Sequence, residues 1–84
     1  MTRYRIQTRT TAGGRTETHV SSVILTHAEA LDSLDAERLL ARAAGWHTAL
    51  LGTKNEPELS CTRPGTQRII AIRESNPFDD TLSH

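Results

Sequence analysis

The sequence predicts a small single α+β domain of order β-β-α-β-β-β, with a mainly antiparallel sheet and one helix packed on one face. Three observations carry that expectation. Residues 3–11 alternate strictly, Ala36 to Trp46 form an apolar stripe at helical spacing, and Ile69-Ile70-Ala71-Ile72 is a strand-like run bounded by turn signals. A chain of 84 residues has apolar material for one core only, so the domain is expected over residues 1–75, with 76–84 as an acidic C-terminal tail.

In the first strand Tyr4, Ile6, Thr8 and Thr10 share one face, and Arg3, Arg5, Gln7 and Arg9 the other. Gly13-Gly14 supplies the positive φ of a tight hairpin, and the return strand is expected from about Thr16 to Leu25. Its pattern is irregular. A bulge at Ser21-Ser22 would place Val20, Val23 and Leu25 on one face; the alternative is a strand covered on both sides.

Thr26-His27-Ala28-Glu29 has the form of a capping box, which lets a helix begin at His27. Two stripes then compete. At about 100° per residue, Ala28, Leu31 and Leu34 lie on the order of 150° from Ala36, Leu39, Leu40, Ala43 and Trp46. One straight helix cannot bury both, so a break is expected near Ser33-Leu34-Asp35, with Asp35 as N-cap of the main helix and Glu37 in its first turn. Gly45 stands where a C-cap belongs. Short strands are expected over His47 to Thr53 and around Leu59 and Cys61, which share a face. After the Arg63-Pro64-Gly65-Thr66 turn comes the strongest strand, Gln67 to Glu74, apolar on both faces and hence central or covered. The other sheet face is left to water or a partner.

The ten basic residues are nine arginines and Lys54, balanced by ten acids to a formal net charge of zero. Arginine at this excess suggests GC-rich coding DNA, yet it is also the side chain that best grips carboxylates and phosphates. Neutrality argues against a free-standing, salt-driven nucleic-acid binder. The lone Cys61 forms no internal disulfide, and no signal peptide or membrane span is recognisable, so a reducing cytoplasm and no membrane contact are expected. Aliphatic residues are few and the aromatics are only Tyr4, Trp46 and Phe78, so homo-oligomerisation or burial by a partner is a further expectation.

Catalytic signals are missing. His19, His27, His47 and His84 are too scattered for a metal site, Cys61 beside Leu59 reads as an inert buried thiol, and there is no nucleophile elbow or phosphate loop. No enzyme activity, cofactor or metal is expected. The candidate partner surface is the arginine side of the first hairpin: Arg3, Arg5 and Arg9 on one strand face, with Arg15 at the adjoining turn. Phe78, between Pro77 and two aspartates, is a further candidate contact. Trp46 reads as the anchor that closes the helical stripe.

Ala44-Gly45-Trp46 and the Arg63-Pro64-Gly65 turn resemble the HicA-type RNA-cleaving toxins over the half of the chain from Ala36 to Pro77. The histidine that resemblance requires before the turn is missing, since Asn55 to Thr62 contains none, and no catalytic residue carries over. In size and style the chain also looks like small phage-encoded inhibitors of bacterial defence, including anti-CRISPR proteins, without a shared motif. The expected function is non-enzymatic protein binding, plausible for a phage or mobile-element inhibitor; RNA or DNA binding through the same arginines is the alternative.

Overall fold

A computed structural model of the chain describes residues 2–75. The elements are β1 (Arg3–Ala12), β2 (Arg15–Val20), α1 (His27–Ala43), β3 (His47–Gly52), β4 (Pro57–Arg63) and β5 (Thr66–Ser75). All pairings are antiparallel, in the order β2-β1-β5-β4-β3, and α1 packs on one face of this sheet. The expected tail 76–84, with Phe78, lies outside the described residues.

Gly13 and Gly14 both take positive φ, 58° and 78°, as a two-residue hairpin turn requires. The hairpin keeps register from Ala12↔Arg15 to Gln7↔Val20, and there β2 ends. Ser21 still donates its N–H to the Ile6 carbonyl at 2.8 Å, and Leu25 then pairs with Tyr4 through N–H···O bonds of 2.9 and 2.8 Å. From Gln7 to Tyr4 β1 advances three positions, while the returning segment advances five from Val20 to Leu25, so two residues loop out. This corrects the expected bulge. Val20 opposes Gln7 on the uncovered face, Leu25 opposes Tyr4 under the helix, and Val23 is exposed.

α1 is one continuous helix of 17 residues, and the expected break at residues 33–35 is absent. Both bonds of the capping box form: the Thr26 hydroxyl accepts from the Glu29 N–H at 3.2 Å, and the Glu29 carboxylate accepts from the Thr26 N–H at 2.9 Å. His27 adds two contacts, a ring tilted against Tyr4 at 5.1 Å and an Nε2–H donated to the Asn55 carbonyl at 2.6 Å. With its first turn fixed, the helix keeps one phase. Ala30 and Leu34 are buried, Leu31 and Ala41 are half-buried against the core, and Ala36, Leu39, Leu40 and Ala43 face outward. Asp35, the expected N-cap, sits exposed in mid-helix. Leu31 and Leu34 of the first stripe won, being the ones tied to a cap and to β1, while Ala28 stays exposed and Ala30 takes the buried place; the second stripe has no sheet beneath it.

The helix stops in a Schellman arrangement, with Gly45 at φ 88°, its N–H donated to Arg42 O at 3.1 Å and that of Trp46 to Ala41 O at 2.9 Å. The turn swings Trp46 down onto the sheet. Ala30, Leu34, Trp46, Leu59, Cys61, Ile70 and Ile72 form the core, with Tyr4, Ile6 and Leu25 packed against it. β5 is central, between β1 and β4, which explains its apolar run: Ile70 and Ile72 enter the core, while Ala71 is buried between Gln7 and Glu58 on the uncovered face.

Two predictions follow the helix. Leu34→Ala should destabilise the fold by about 2–5 kcal/mol, whereas Leu39→Ala and Leu40→Ala stay within about 0.5 kcal/mol of wild type; equal losses in urea unfolding would refute the single-phase helix. Bonds from the Thr26 backbone first, then the Thr26 hydroxyl, hold the Glu29 carboxyl below its ordinary value, with the Arg3 charge assisting. A carboxyl depressed in the folded state stabilises above its unfolded pKa and loses that contribution as pH falls through the folded value. Glu29→Ala should therefore be less stable than wild type at pH 7, by a margin that narrows below about pH 4.

Candidate functional site

The register places the expected arginines in two groups. Arg3, Arg5 and Arg9 do share the uncovered face, where Arg73 of β5 joins them directly opposite Arg5. Like charges in that relation repel. Each turns to a different acceptor: Arg5 donates from Nε to Ser75 Oγ at 3.3 Å and from an Nη to the Ser21 carbonyl at 3.0 Å, and Arg73 donates to Gln7 Oε1 at 3.3 Å. Arg5 thereby fastens the chain leaving β2 to the end of β5. Arg15 is elsewhere. It opposes Ala12, whose parity is that of Tyr4 and Ile6, so it belongs to the helix side of the sheet. The uncovered face is mixed, one row across it being Val20, Gln7, Ala71, Glu58 and Leu51, with Val20 and Leu51 about half exposed at its two edges.

A second arginine cluster lies at the far end of α1, around Trp46. The indole is 8 % exposed, and two guanidinium carbons stand against its ring, Arg63 at 4.2 Å and Arg68 at 4.9 Å from the centroid. These two arginines come from β4 and β5, joined by the Pro64-Gly65 turn, and share the helix side with Cys61. From the helix come Arg38 and Arg42, which with Trp46, His47 and Thr48 line an open cavity of about 380 Å³. The Nε atoms of Arg38 and Arg68 are buried without an acceptor, and among the described residues none of these four arginines has an ion pair. An unmet buried donor costs about 1–3 kcal/mol. Along the sequence Arg38 and Arg42, on a helix, and Arg63, near a turn, have the look of ordinary solvated positions. The signal that could have found the cluster is spacing: Arg38, Arg42 and Trp46 recur every four residues, and Arg63 and Arg68 straddle a two-residue turn.

The third feature is the outward side of α1. Leu39 and Leu40 are 61 % and 66 % exposed, with Ala36 and Ala43 exposed on the same side. The remaining chemistry is sparse. Burial pushes the Cys61 thiol above its ordinary pKa, against the opposing charge of Arg68 and with added push from Glu37, which is the setting of an unreactive thiol. Among the described residues no three His, Cys, Asp or Glu side chains gather as a metal would need, and no helix is long and apolar enough to cross a membrane.

No family model, curated protein or solved structure matches the chain. Its class is that of a small α+β domain with one helix over a five-stranded antiparallel sheet.

The roles of the β1 arginines separate on mutation. Arg5→Ala should lower stability by on the order of 1 kcal/mol, while Arg9→Ala, exposed at mid-strand, leaves the thermal midpoint unchanged; equal effects would mean that the Ser21 and Ser75 contacts carry nothing.

Proposed function

We propose that the chain is a non-enzymatic protein-binding module that docks through the outward side of α1. The observation that carries this reading is the stripe of Ala36, Leu39, Leu40 and Ala43, two turns of apolar surface directed away from the core with both leucines mostly in water. A solitary exposed leucine is ordinary; a contiguous stripe in a chain with so small a core is a surface awaiting a partner. Interfaces take their affinity from a desolvated apolar centre with charge at the rim, and Asp32, Asp35 and Arg42 supply such a rim.

The arginine side of the first hairpin serves this reading less well than sequence alone suggested. Its face is opposite the helix, its apolar residues Val20, Ala71 and Leu51 are interrupted by Gln7 and Glu58, and Arg5 and Arg73 are engaged within the domain. What Arg3 and Arg9 offer there is steering toward an acidic surface. The finer role, a phage or mobile-element inhibitor of a bacterial defence system acting by occupancy, is supported by the small size and by chemistry too sparse for turnover.

One observation favours a second reading, a homodimer. In an antiparallel pairing of two copies of α1 centred between Leu39 and Leu40, Ala36 meets Ala43, Leu39 meets Leu40, and Asp35 approaches Arg42, so the stripe is complementary to itself.

The paired substitution Leu39→Glu with Leu40→Glu tests both. Capture of a partner from a host lysate, and any concentration-dependent dimer seen by light scattering, should be lost with circular dichroism unchanged. A partner retained by the double variant would place the contact elsewhere. Binding that instead weakens steeply with salt would shift the function to nucleic acid on the arginine face.

A further inference from the structure

From the cluster at the end of α1 we infer a binding site for the phosphate group of a small phosphate monoester, separate from the outward helix stripe. The site is the cavity of about 380 Å³ lined by Arg38, Arg42, Trp46, His47 and Thr48. Its chemistry is one-sided. Two arginines and Thr48 line it with Trp46 and His47, and among the described residues no Asp or Glu does.

The same residues have a purely structural reading, and it accounts for only part of them. Arg42 in the last turn complements the negative end of the helix dipole, and Arg63 and Arg68 gain from the face of Trp46. Neither effect supplies an acceptor. Arg38 and Arg68 keep buried Nε donors without one, and the two arginines against the indole and the two lining the cavity beside it have no ion pair among the described residues. Asp35 lines a neighbouring cavity with Arg38 and still makes no ion pair with it.

The donor set selects the anion. A carboxylate has two oxygens in one plane and is satisfied by a single guanidinium fork, whereas the three terminal oxygens of a phosphate monoester accept from two forks arriving from different directions. Arg38 and Arg42, one helical turn apart, are such a pair of forks, with Thr48, on the helix side of β3, as a further donor. A dianion also offsets more of the accumulated positive charge than a carboxylate does.

The groove indicates the rest of the ligand. Arg38 is shared with an adjoining apolar cavity of about 140 Å³ lined by Leu31, Leu34, Leu50 and Pro57. A phosphate held by Arg38 and Arg42 would direct a small apolar body into that cavity. Trp46, buried beneath Arg63 and Arg68, is not available to stack a base, and this argues against a single-stranded nucleic acid as the occupant.

Trp46 is the chain's only tryptophan, so its emission reports on the site directly. Inorganic phosphate, phenyl phosphate and phenol should be titrated against the wild-type protein at constant ionic strength. The expected result is a saturable change with both phosphates, tighter for phenyl phosphate, and none with phenol. Arg42→Gln, at an exposed position, should keep the fold and weaken phosphate binding by about tenfold or more. Arg38→Gln should do the same, and ligand-dependent shifts of individual backbone amides of Arg42, His47 and Thr48 give a second readout if that variant unfolds. Equal affinity for the two phosphates would support the phosphate site and overturn its apolar extension. No saturable response, a response shared by phenol, or one unchanged in Arg42→Gln overturns the proposal, the last meaning an adventitious ion only. The leucine pair Leu39→Glu with Leu40→Glu leaves this titration intact, which separates it from the docking reading.

Discussion

The pairing of β1 with β5 is the constraint on which the rest of the structure depends. It joins the two ends of the described chain in the middle of the sheet, in one unbroken register from Arg3↔Ser75 to Ala12↔Thr66. Parity then decides everything on either side. Ile6 faces Ile72 and Thr8 faces Ile70 beneath the helix, so β2 inherits its faces from β1, and β4 and β3 inherit theirs from β5. A slip of one position in this ladder would turn Ile70 and Ile72 to the uncovered side and empty the core. Because the partners are separated by nearly the whole chain, the ladder forms only after a long loop closes, and folding should be slow for so small a protein.

The helix is where local and global preferences disagree. By apolar content the second stripe, with Leu39 and Leu40, is the stronger candidate for the core. By anchorage the first is stronger, since the capping box, the Tyr4 contact and the His27 bond to Asn55 all act within its first turn. Continuing one helix preserves each i→i−4 bond, whereas a break at Asp35 would leave up to four N–H groups and four carbonyls to be satisfied anew. Leaving two leucines in water forgoes on the order of 1.5–3 kcal/mol each, a sacrifice that is lasting only if the stripe is covered by something else. Folding alone gives no account of the exposed leucines, and the partner proposed above would recover what they forgo.

Much of this was legible from the residues. Strict alternation in β1, the Gly-Gly turn, the Thr-x-x-Glu box, Gly45 and the doubly apolar β5 each rest on local rules, and each element exists where those rules put it. Three things were not. The looped-out residues between Val20 and Leu25 depend on where the helix must start, a tertiary requirement that strand parity does not contain. The choice of stripe depends on the sheet beneath it. The cluster at Trp46 gathers residues from α1, β4 and β5, and no window of sequence holds them together. Arg15 shows the same limit on a smaller scale: its nearness to the turn suggested company with Arg9, while the register sends it to the other face.

A genome rich in GC would supply arginine without regard to position, so the nine-to-one excess over lysine is not itself evidence of function. Position is. Arg5 reaches two acceptors at once, and Arg63 and Arg68 lie against an indole; each use depends on a flat group with several donors, which a lysine ammonium would not reproduce. Arg38 and Arg42 differ in kind, since neither side chain has a hydrogen-bond or ionic partner among the described residues although both border a cavity. Compositional supply explains why arginine was at hand, and internal bonding explains why Arg5, Arg63 and Arg68 suit their places. The helix dipole favours Arg42 in the last turn, but nothing among the described residues supplies the buried Arg38 Nε with an acceptor. A bound anion, as proposed for the cavity, would give Arg38 and Arg42 the acceptor that their neighbours do not.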